Sequence, residues 1–447
     1  MSELIDIATR VAGWADEGEQ VEAFVVHEHE TEIRAYEGEV ESLTSAESQG
    51  IGVRVVAAGR QGYAYAGTLE DSALRETLDE ARDNAAFAQA DEFNGVAEPD
   101  GVATADLDLF DPAMVSFSTD DKVALAIELE RATRAADPRI SGIESAEYVD
   151  TLFESAVATS TGIASSTRET GCYLSAYALA EAADETQTGF GFSLGRGPGA
   201  LDPTEAASDA AERATRLLGA TKPATSRLTV VLDPWVTAQM LGIIGHTLTG
   251  DAVQRGRSLF AERLGEQVAV ADLTLLDDAT DPAAFTASMV DGEGLATRRT
   301  ALIEDGTLTG FLHNSYSARR GATTSTGSAV RPGFKGAPGV GAQALSLRPG
   351  SSTQAELIAG IDDGLLVQEV SGLHSGVNPV SGDFSTGAEG LLIRGGELAE
   401  PVREITIAST IQRLLLDIVG IGSDLQWLPM SAAGVSLVVT DVTMSGA

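Results

Sequence analysis

The sequence predicts an α+β protein, with an N-terminal α+β domain over residues 1–221 and a C-terminal β-rich domain over residues 222–447. Two observations support this class. The first part of the chain alternates stretches of helical spacing with runs of β-branched and polar residues. Beyond residue 227 the chain changes to short β segments punctuated by glycine. Its 447 residues, 43% of them hydrophobic, are enough for more than one core.

The first elements follow from hydrophobic spacing. Residues 3–16 place Leu4, Ile7 and Val11 at helical intervals, which predicts a short amphipathic helix. From Phe24 onward, alternation predicts a meander of strands, and a helix should then begin at Thr68. The turns of the meander are expected at the motifs EGE, SQG and AAGRQG.

A second passage repeats the order of the first. A helix in SFSTDDKVALAIELERATRAA precedes strand-like segments between Ile140 and Leu194, and a helix in DPTEAASDAAERATRLLGA follows them. The two passages share little sequence identity. Their common order nevertheless suggests a structural duplication inside the N-terminal domain.

The C-terminal domain is expected to begin at the segment TKPATSR, Thr221 to Arg227, which predicts a domain boundary. A strand LTVVLD and an apolar helix PWVTAQMLGIIGHTLTG come next. The glycine-rich stretches GFKGAPGVGAQ and SGLHSGVNPVSGDFSTG predict long ordered loops. Loops of this kind on a β scaffold commonly carry function.

Acidic residues dominate the charge. The chain has 67 Asp and Glu against 29 Lys and Arg, a net charge of -38, and the excess is spread along the sequence. Lysine is nearly absent. This composition predicts a halophilic protein, because a salt-rich cytoplasm screens the self-repulsion; an ordinary acidic mesophilic protein is the alternative. Either surface repels phosphate backbones, which argues against nucleic-acid binding.

Other features of the sequence indicate the compartment. The single cysteine, Cys172, cannot form an internal disulfide or a multi-cysteine metal site, and we expect it to be a buried apolar residue in a strand. The N-terminus lacks an apolar stretch flanked by basic residues, and no run of about 18 apolar residues occurs. We therefore expect a soluble, cytoplasmic protein that does not bind membranes.

Histidines are the candidate metal ligands. His27 and His29 lie on one face of a predicted strand and could chelate a metal weakly, but a solvated face is the better explanation because no third ligand lies at motif spacing. His246 stands alone on an apolar helix, where a hydrogen-bonded packing histidine is commoner than a ligand. The sequence contains no HExxH motif and no Walker loop.

Two polar segments are candidate binding sites. The loop SGLHSGVNPVSGDFSTGAEG sets His374, Asn378 and Asp383 among glycines. It could present amides and a carboxylate to a peptide or a partner, or be a plain turn-rich connection. The segment ARRGATTSTGSAVR contributes three arginines, Arg319, Arg320 and Arg331. They are expected to pair with local carboxylates, or alternatively to bind the C-terminal carboxylate of a peptide.

Several phrases together resemble the TldD/PmbA family, and specifically its PmbA (TldE) branch. They are ESQGIGVRVVAAGRQGYAYAG, STGSAVR, GLHSGVNPVSGDFSTGAEGLLI, PVREITIAS and IGSDLQW. In that family, TldD-type subunits carry an HExxxH zinc motif and a late cysteine ligand. They pair with TldE-type subunits in a protease that cuts unfolded or flexible peptides. The resemblance therefore implies a TldD-like partner and peptide or unfolded-protein substrates.

Placed on this chain, the zinc motif of the family falls on LGIIGH. His246 matches the second histidine, but Leu241 replaces the first and Gly242 replaces the catalytic glutamate. No cysteine occurs in IGSDLQWLPMSAAGVS, where the late ligand is expected. The resemblance thus implies a metal-free subunit without catalytic residues of its own, with zinc bound by the TldD-like partner. Whether this chain alone is an enzyme stays open.

Two other hypotheses remain. A stand-alone peptide-binding or regulatory protein would keep the glycine-rich loops and need no partner. An independent peptidase would use an unrelated metal site, with His246 and His374 among its ligands, but spacing alone reveals no third ligand that converges with them.

Overall fold

The structure is a computed structural model that describes residues 2–183 and 185–446, and it confirms the α+β class. The N-terminal half contains five helices, six strands and a 3-10 turn at Pro198–Ala200 in its described residues. These helices and strands are α1 (Ser2–Ala12), β1 (Glu19–Tyr36), β2 (Glu39–Ala57), β3 (Arg60–Ala66), α2 (Asp71–Phe87), α3 (Ala113–Ser116), α4 (Thr119–Ala136), β4 (Ile140–Thr159), β5 (Ala164–Ala182), β6 (Glu185–Gly195) and α5 (Pro203–Arg216).

The six strands form one antiparallel sheet with the order β3-β2-β1-β4-β5-β6. β1 and β4 lie side by side at its centre, with Glu22 opposite Thr159. Each half of the sheet is a three-strand meander with a helix before it and a helix after it, as the two passages of the sequence predict. The shared order of elements supports a duplication.

One predicted turn is wrong. The motif SQG lies inside β2, where Gly50 pairs with Val26 of β1 instead of reversing the chain. A side chain at Gly50 would overlap the ring of Phe334 from the C-terminal half, so this glycine makes room for a packing contact. The turns at EGE and AAGRQG do connect strands. Helix limits shift as well, because α1 ends at Ala12 and α2 begins after Thr68.

Glycines let the flanking helices lie close to the sheet. A side chain at Gly62 of β3 would overlap the backbone of α2 at Ala81, and one at Gly191 of β6 would overlap the carbonyl of Ala206 in α5. The buried face of α5 is mostly alanine. Small residues on both surfaces therefore allow helix and strand backbones to approach each other.

The C-terminal half arranges strands of 2 to 14 residues around one main helix. Its elements are β7 (Ser226–Leu232), α6 (Pro234–Thr247), α7 (Gly250–Gln254), β8 (Leu275–Asp278), β9 (Arg299–Glu304), β10 (Thr307–Leu308), α8 (Ser315–Arg320), β11 (Ala329–Val330), β12 (Gly339–Val340), β13 (Leu345–Leu347), α9 (Gln354–Ala359), β14 (Asp363–Ser371), α10 (Leu373–Gly376), β15 (Asp383–Arg394), β16 (Glu397–Thr410), α11 (Ile411–Leu416), β17 (Ile418–Ile421) and β18 (Leu437–Ser445).

The largest C-terminal sheet has the order β16-β15-β14-β7-β18-β17, and β16 also pairs with β18. The sheet therefore curls round until strands from its two sides meet. β7 and β14 run parallel, while the other pairs are antiparallel. Leu241 and Ile244 of α6 pack into the core that this sheet encloses. A four-stranded sheet, β10-β9-β8-β13, and the β11–β12 pair complete this half.

Buried charges join the N-terminal sheet to the C-terminal half. Nη2 of Arg54 on β2 donates to Glu22 on β1 at 2.6 Å and to Glu293 at 3.1 Å. Arg331 also bonds to Glu22, and all four side chains are 3% exposed or less. We refer to these four residues as the interdomain ion cluster. Two carboxylates and two guanidiniums balance each other where an unpaired charge would be strongly unfavourable.

The three arginines of the segment ARRGATTSTGSAVR have different partners. Arg319 donates to the carbonyl oxygens of Phe93, Gly95 and Val96. It thereby fastens α8 to the connection that follows α2. Arg331 does pair with a carboxylate, that of Glu22 in the interdomain ion cluster. Arg320 is exposed. Carboxylate pairing thus holds for Arg331, whereas Arg319 meets backbone carbonyls instead.

The contact between β6 and α5 yields a prediction. Replacing Gly191→Ala places a methyl group against the Ala206 carbonyl, so α5 must move outward. We expect the free energy of unfolding to fall by about 1–3 kcal/mol. Denaturant titration measures it, and Gly199→Ala is the control because nothing lies within 4 Å of its Cβ position. An equal loss in both variants would contradict the packing explanation.

Candidate functional site

The N-terminal half fixes the start of α6, the helix that carries the zinc-motif positions. Asp233 caps this helix by accepting from the backbone N–H of Trp235 at 3.1 Å. The same carboxylate pairs with Arg213 of α5 at 3.1 Å. The Trp235 ring contacts two phenylalanine rings of β6, those of Phe190 and Phe192. A cap, an ion pair and aromatic contacts therefore hold α6 against the N-terminal sheet.

The three motif positions have different surroundings. Leu241 is 2% exposed and packs in the main C-terminal core. Gly242 has no side chain, and the space beside it is open. His246 is exposed in the last turn of α6. Its backbone carbonyl accepts from the Thr249 hydroxyl at 3.1 Å, while its imidazole faces solvent. The prediction of a buried, hydrogen-bonded packing histidine is therefore wrong.

The late segment, residues 421–436, lies next to α6. Leu345 of β13 connects the two, because its N–H donates to Ser431 and its carbonyl accepts from Ala433, both at 2.8 Å. On the other side, a side chain at Gly245 of α6 would overlap the Leu345 side chain. The fold thus brings together the helix and the segment in which the family resemblance places zinc ligands.

The side chains at these positions do not fit a zinc ion. A catalytic zinc site uses about three protein ligands, an open position for water and a base. On α6, His246 supplies an imidazole, whereas Leu241 and Gly242 supply no ligand atom. Among the described residues, no group of three or more His, Cys, Asp or Glu side chains could hold a metal ion. This finding counts against an independent peptidase that uses His246 and His374.

The glycine-rich loop between β14 and β15 is shaped by its own side chains. Asn378 Oδ1 accepts from the backbone N–H groups of Val380 and Ser381, at 3.0 and 3.2 Å. Asp383 accepts from the Ser381 hydroxyl at 2.7 Å. His374, Asn378 and Asp383 are all exposed, and Val380 is 53% exposed. The polar side chains set the turn, and the loop presents His374 and Val380 to its surroundings.

His27 and His29 lie on β1, as predicted, and both are half-buried. Nε2 of His27 lies 2.7 Å from Glu47, and Nδ1 lies 3.8 Å from Glu154. Nε2 of His29 lies 3.2 Å from the Ser45 hydroxyl. These ring nitrogens face side chains of neighbouring strands. The geometry favours a structural role at the sheet surface over metal chelation.

Sequence reasoning misses two buried carboxyl groups. Asp277 of β8 accepts from the N–H groups of Gln343 and Ala344 at 2.9 and 2.7 Å, and burial raises its pKa to about 6. Burial and the nearby Glu293 raise the pKa of Asp291 to about 7. Their one local signal is an acid among apolar residues, as in TLLDDAT and MVDGEGL. Only tertiary contacts identify which of these acids are buried.

Three family models match successive parts of the chain. PmbA/TldA metallopeptidase domain 1 matches residues 21–85, the central domain matches 115–218 and the C-terminal domain matches 225–446. The metalloprotease PmbA of Escherichia coli O157:H7 is 30% identical over 392 residues, which cover 87% of this chain and 84% of that protein. The chain belongs to the TldD/PmbA family. Its relatives place it in the PmbA/TldE branch.

A metalloprotease TldD homolog of Haemophilus influenzae is 25% identical over 424 residues, which cover 89% of this chain and 87% of that protein. The solved structure of TldE from Thermococcus kodakarensis has a TM-score of 0.89 and 21% identity, and the match covers all of both chains. That likeness shows the fold.

The family models and relatives confirm the resemblance to the TldD/PmbA family that the sequence motifs indicate. The division into two domains after residue 221 stays a prediction. Among the described residues, no helix is long and apolar enough to span a membrane.

The buried Asp277 predicts a pH dependence of stability. Its pKa rises from 3.8 to about 6 on folding, so the folded state binds the proton more tightly and stability falls as pH increases between these values. Asp277→Asn keeps an oxygen that can accept from Gln343 and Ala344 but does not titrate. We expect the variant to be more stable than wild type at pH 7, by roughly 2–3 kcal/mol.

Unfolding free energies measured from pH 4 to 7.5 test this prediction. The control is Asp305→Asn, which makes the same change at a carboxylate that is exposed instead of buried. A slope that Asp277→Asn leaves unchanged would show that Asp277 does not titrate in this range.

Proposed function

We propose that this chain is a metal-free, TldE-like subunit of a heteromeric zinc metalloprotease. A TldD-like subunit with an HExxxH motif supplies the zinc and the catalytic base, and the complex degrades or processes unfolded peptides. The observation that carries the proposal is the state of α6. Its zinc-motif positions hold a buried leucine, a glycine and an exposed histidine, while the helix and the late segment remain packed together.

The chemistry of zinc hydrolysis supports the need for a partner. The metal lowers the pKa of a bound water, and a base takes the proton as water attacks the peptide carbonyl. Leu241 cannot bind metal, and Gly242 cannot accept a proton. Family membership supports the identity of the partner, because the chain is also similar to a TldD homolog along most of its length.

The subunit contributes surface rather than chemistry in this proposal. The loop that holds His374, Asn378 and Asp383 is exposed and internally braced, so it can meet a partner or an extended peptide without being reorganised. Val380, which is 53% exposed, adds an apolar side chain to this surface. A salt-rich cytoplasm is the proposed setting, since the net charge of -38 requires screening and disfavours nucleic acid as a ligand.

The partner is tested by purification at native salt. The chain, tagged and expressed in its own host, should bring down a second protein with an HExxxH motif, and zinc should accompany the pair in a stoichiometric amount. Peptide cleavage should need both chains. Isolation of a pure homo-oligomer that binds peptides by itself would favour the stand-alone binding protein and overturn this proposal.

His246 provides a second test, in the reconstituted pair. Because its imidazole is exposed and Leu241 stands at the first ligand position, His246→Gln should change the turnover of the complex by no more than about threefold and the stability by less than about 0.5 kcal/mol. Replacing the first histidine of the partner's HExxxH motif is the positive control. That change should abolish zinc binding and lower turnover by orders of magnitude.

The result that contradicts the metal-free assignment is specific. If His246→Gln removes zinc or activity from a complex that still folds and assembles, then this chain supplies a metal ligand.

A further inference from the structure

An open cavity of about 370 Å³ separates the N-terminal sheet from the C-terminal half beside α7. Its wall includes Arg54 of β2, Gln61 of β3 and Asn94 from the N-terminal half, and Asp251 of α7 and Arg255, the residue after α7, from the C-terminal half. The volume lies within the range of small-molecule sites, about 300–1,000 Å³. α7 follows α6 after a short turn, so the cavity adjoins the end of the helix that carries the degenerate zinc motif.

Arg54 brings an unused charged donor to this wall. Its side chain is 3% exposed, and its bonds to Glu22 and Glu293 both come from Nη2. The buried Nε of the same guanidinium has no hydrogen-bond partner among the described residues. Nη1 makes no hydrogen bond to a described residue either, and it is not fully enclosed, so it is the donor that a ligand in the cavity can meet.

A second guanidinium lies on the opposite wall. Nε of Arg255 donates to Asp251 at 2.8 Å, and the side chain is 54% exposed, so its two terminal nitrogens can turn toward a ligand. The wall also carries the amide side chains of Gln61, Asn94 and Asn314. Nδ2 of Asn94 donates to the carbonyl oxygen of Gly59 at 2.9 Å, so Oδ1 of Asn94 is left to accept a hydrogen bond from a ligand.

We propose that this cavity binds the C-terminal carboxylate of a peptide. Arg54 and Arg255 donate to the carboxylate, because guanidinium groups match carboxylates in both geometry and charge. Gln61 and Asn94 bond to the peptide group that precedes it. The inference rests on the proposed peptide-handling function and adds to it a preference for free chain ends, held next to α6.

Calorimetric titration of the full-length chain, without any partner, tests the proposal. The probes are acetyl-trialanine with a free carboxylate, its C-terminal amide, and the amide of acetyl-Ala-Glu-Ala, whose carboxylate is on a side chain. We expect the free acid to bind at least about tenfold more tightly than either amide. Equal affinities, or no binding of the free acid at millimolar concentration, would overturn the proposal.

Matched variants locate the site. Arg255→Gln should weaken binding of the free acid about tenfold and leave the amides unaffected. Arg257 lies two residues further along, and its exposed side chain is outside the cavity wall. Arg257→Gln removes the same charge and should leave binding of the free acid unchanged. Thermal unfolding of both variants checks the fold. Equal effects of the two changes would show that general charge, and not this cavity, governs binding.

The test is independent of proteolysis. If the complex cleaves peptides but the isolated chain shows no preference for the free carboxylate, the proposed function stands and this site is contradicted. If the chain recovers no TldD-like partner but prefers the free carboxylate, this site stands and the proposed function is contradicted.

Discussion

The interdomain ion cluster is the interaction on which the arrangement of the two halves depends. Glu22 and Arg54 come from the adjacent strands β1 and β2 of the N-terminal sheet, and Glu293 and Arg331 come from loops of the C-terminal half. Both guanidiniums, those of Arg54 and Arg331, bind the Glu22 carboxylate. The cluster therefore forms only where the two halves meet. Removal of one partner leaves a buried charge unmatched, a change that typically costs about 3–5 kcal/mol. The cluster therefore holds Arg54 in position at the wall of the cavity beside α7.

Packing, a cap and an ion pair keep α6 in place. The helix begins at a cap that is paired with Arg213, continues through buried Leu241 and ends in a turn where His246 faces water. A structural zinc site contributes folding energy, so its loss would unfold a helix that depended on it. Here the apolar face of α6 lies in the main C-terminal core, which explains how the helix can persist with no metal-binding side chains at two of its three motif positions.

Periodicity predicts the architecture of this chain well and its contacts poorly. The repeated order of helices and strands and the position of α6 follow from spacing that any local segment carries. The role of Gly50 does not, because the ring that requires a glycine there belongs to Phe334, far along the chain. The exposure of His246 and the partners of Arg319 likewise depend on which surfaces meet. The sequence alone shows where the chain departs from the zinc motif, because a residue type without a ligand atom can be recognised without the fold. The cavity beside α7 could not be predicted in this way, because it exists only between two folded halves.

The pairing of β18 with β7 affects the timing of folding during synthesis. Arg227 and Thr443, which meet across these strands, are 216 residues apart. At translation rates of about 5–20 residues per second, β7 waits about 10–40 s for its neighbour. The N-terminal sheet, built from meanders of consecutive strands, can be complete by then. During that interval the apolar face of α6 lacks its finished enclosure, so the nascent C-terminal half is the part of this protein that most needs protection by chaperones.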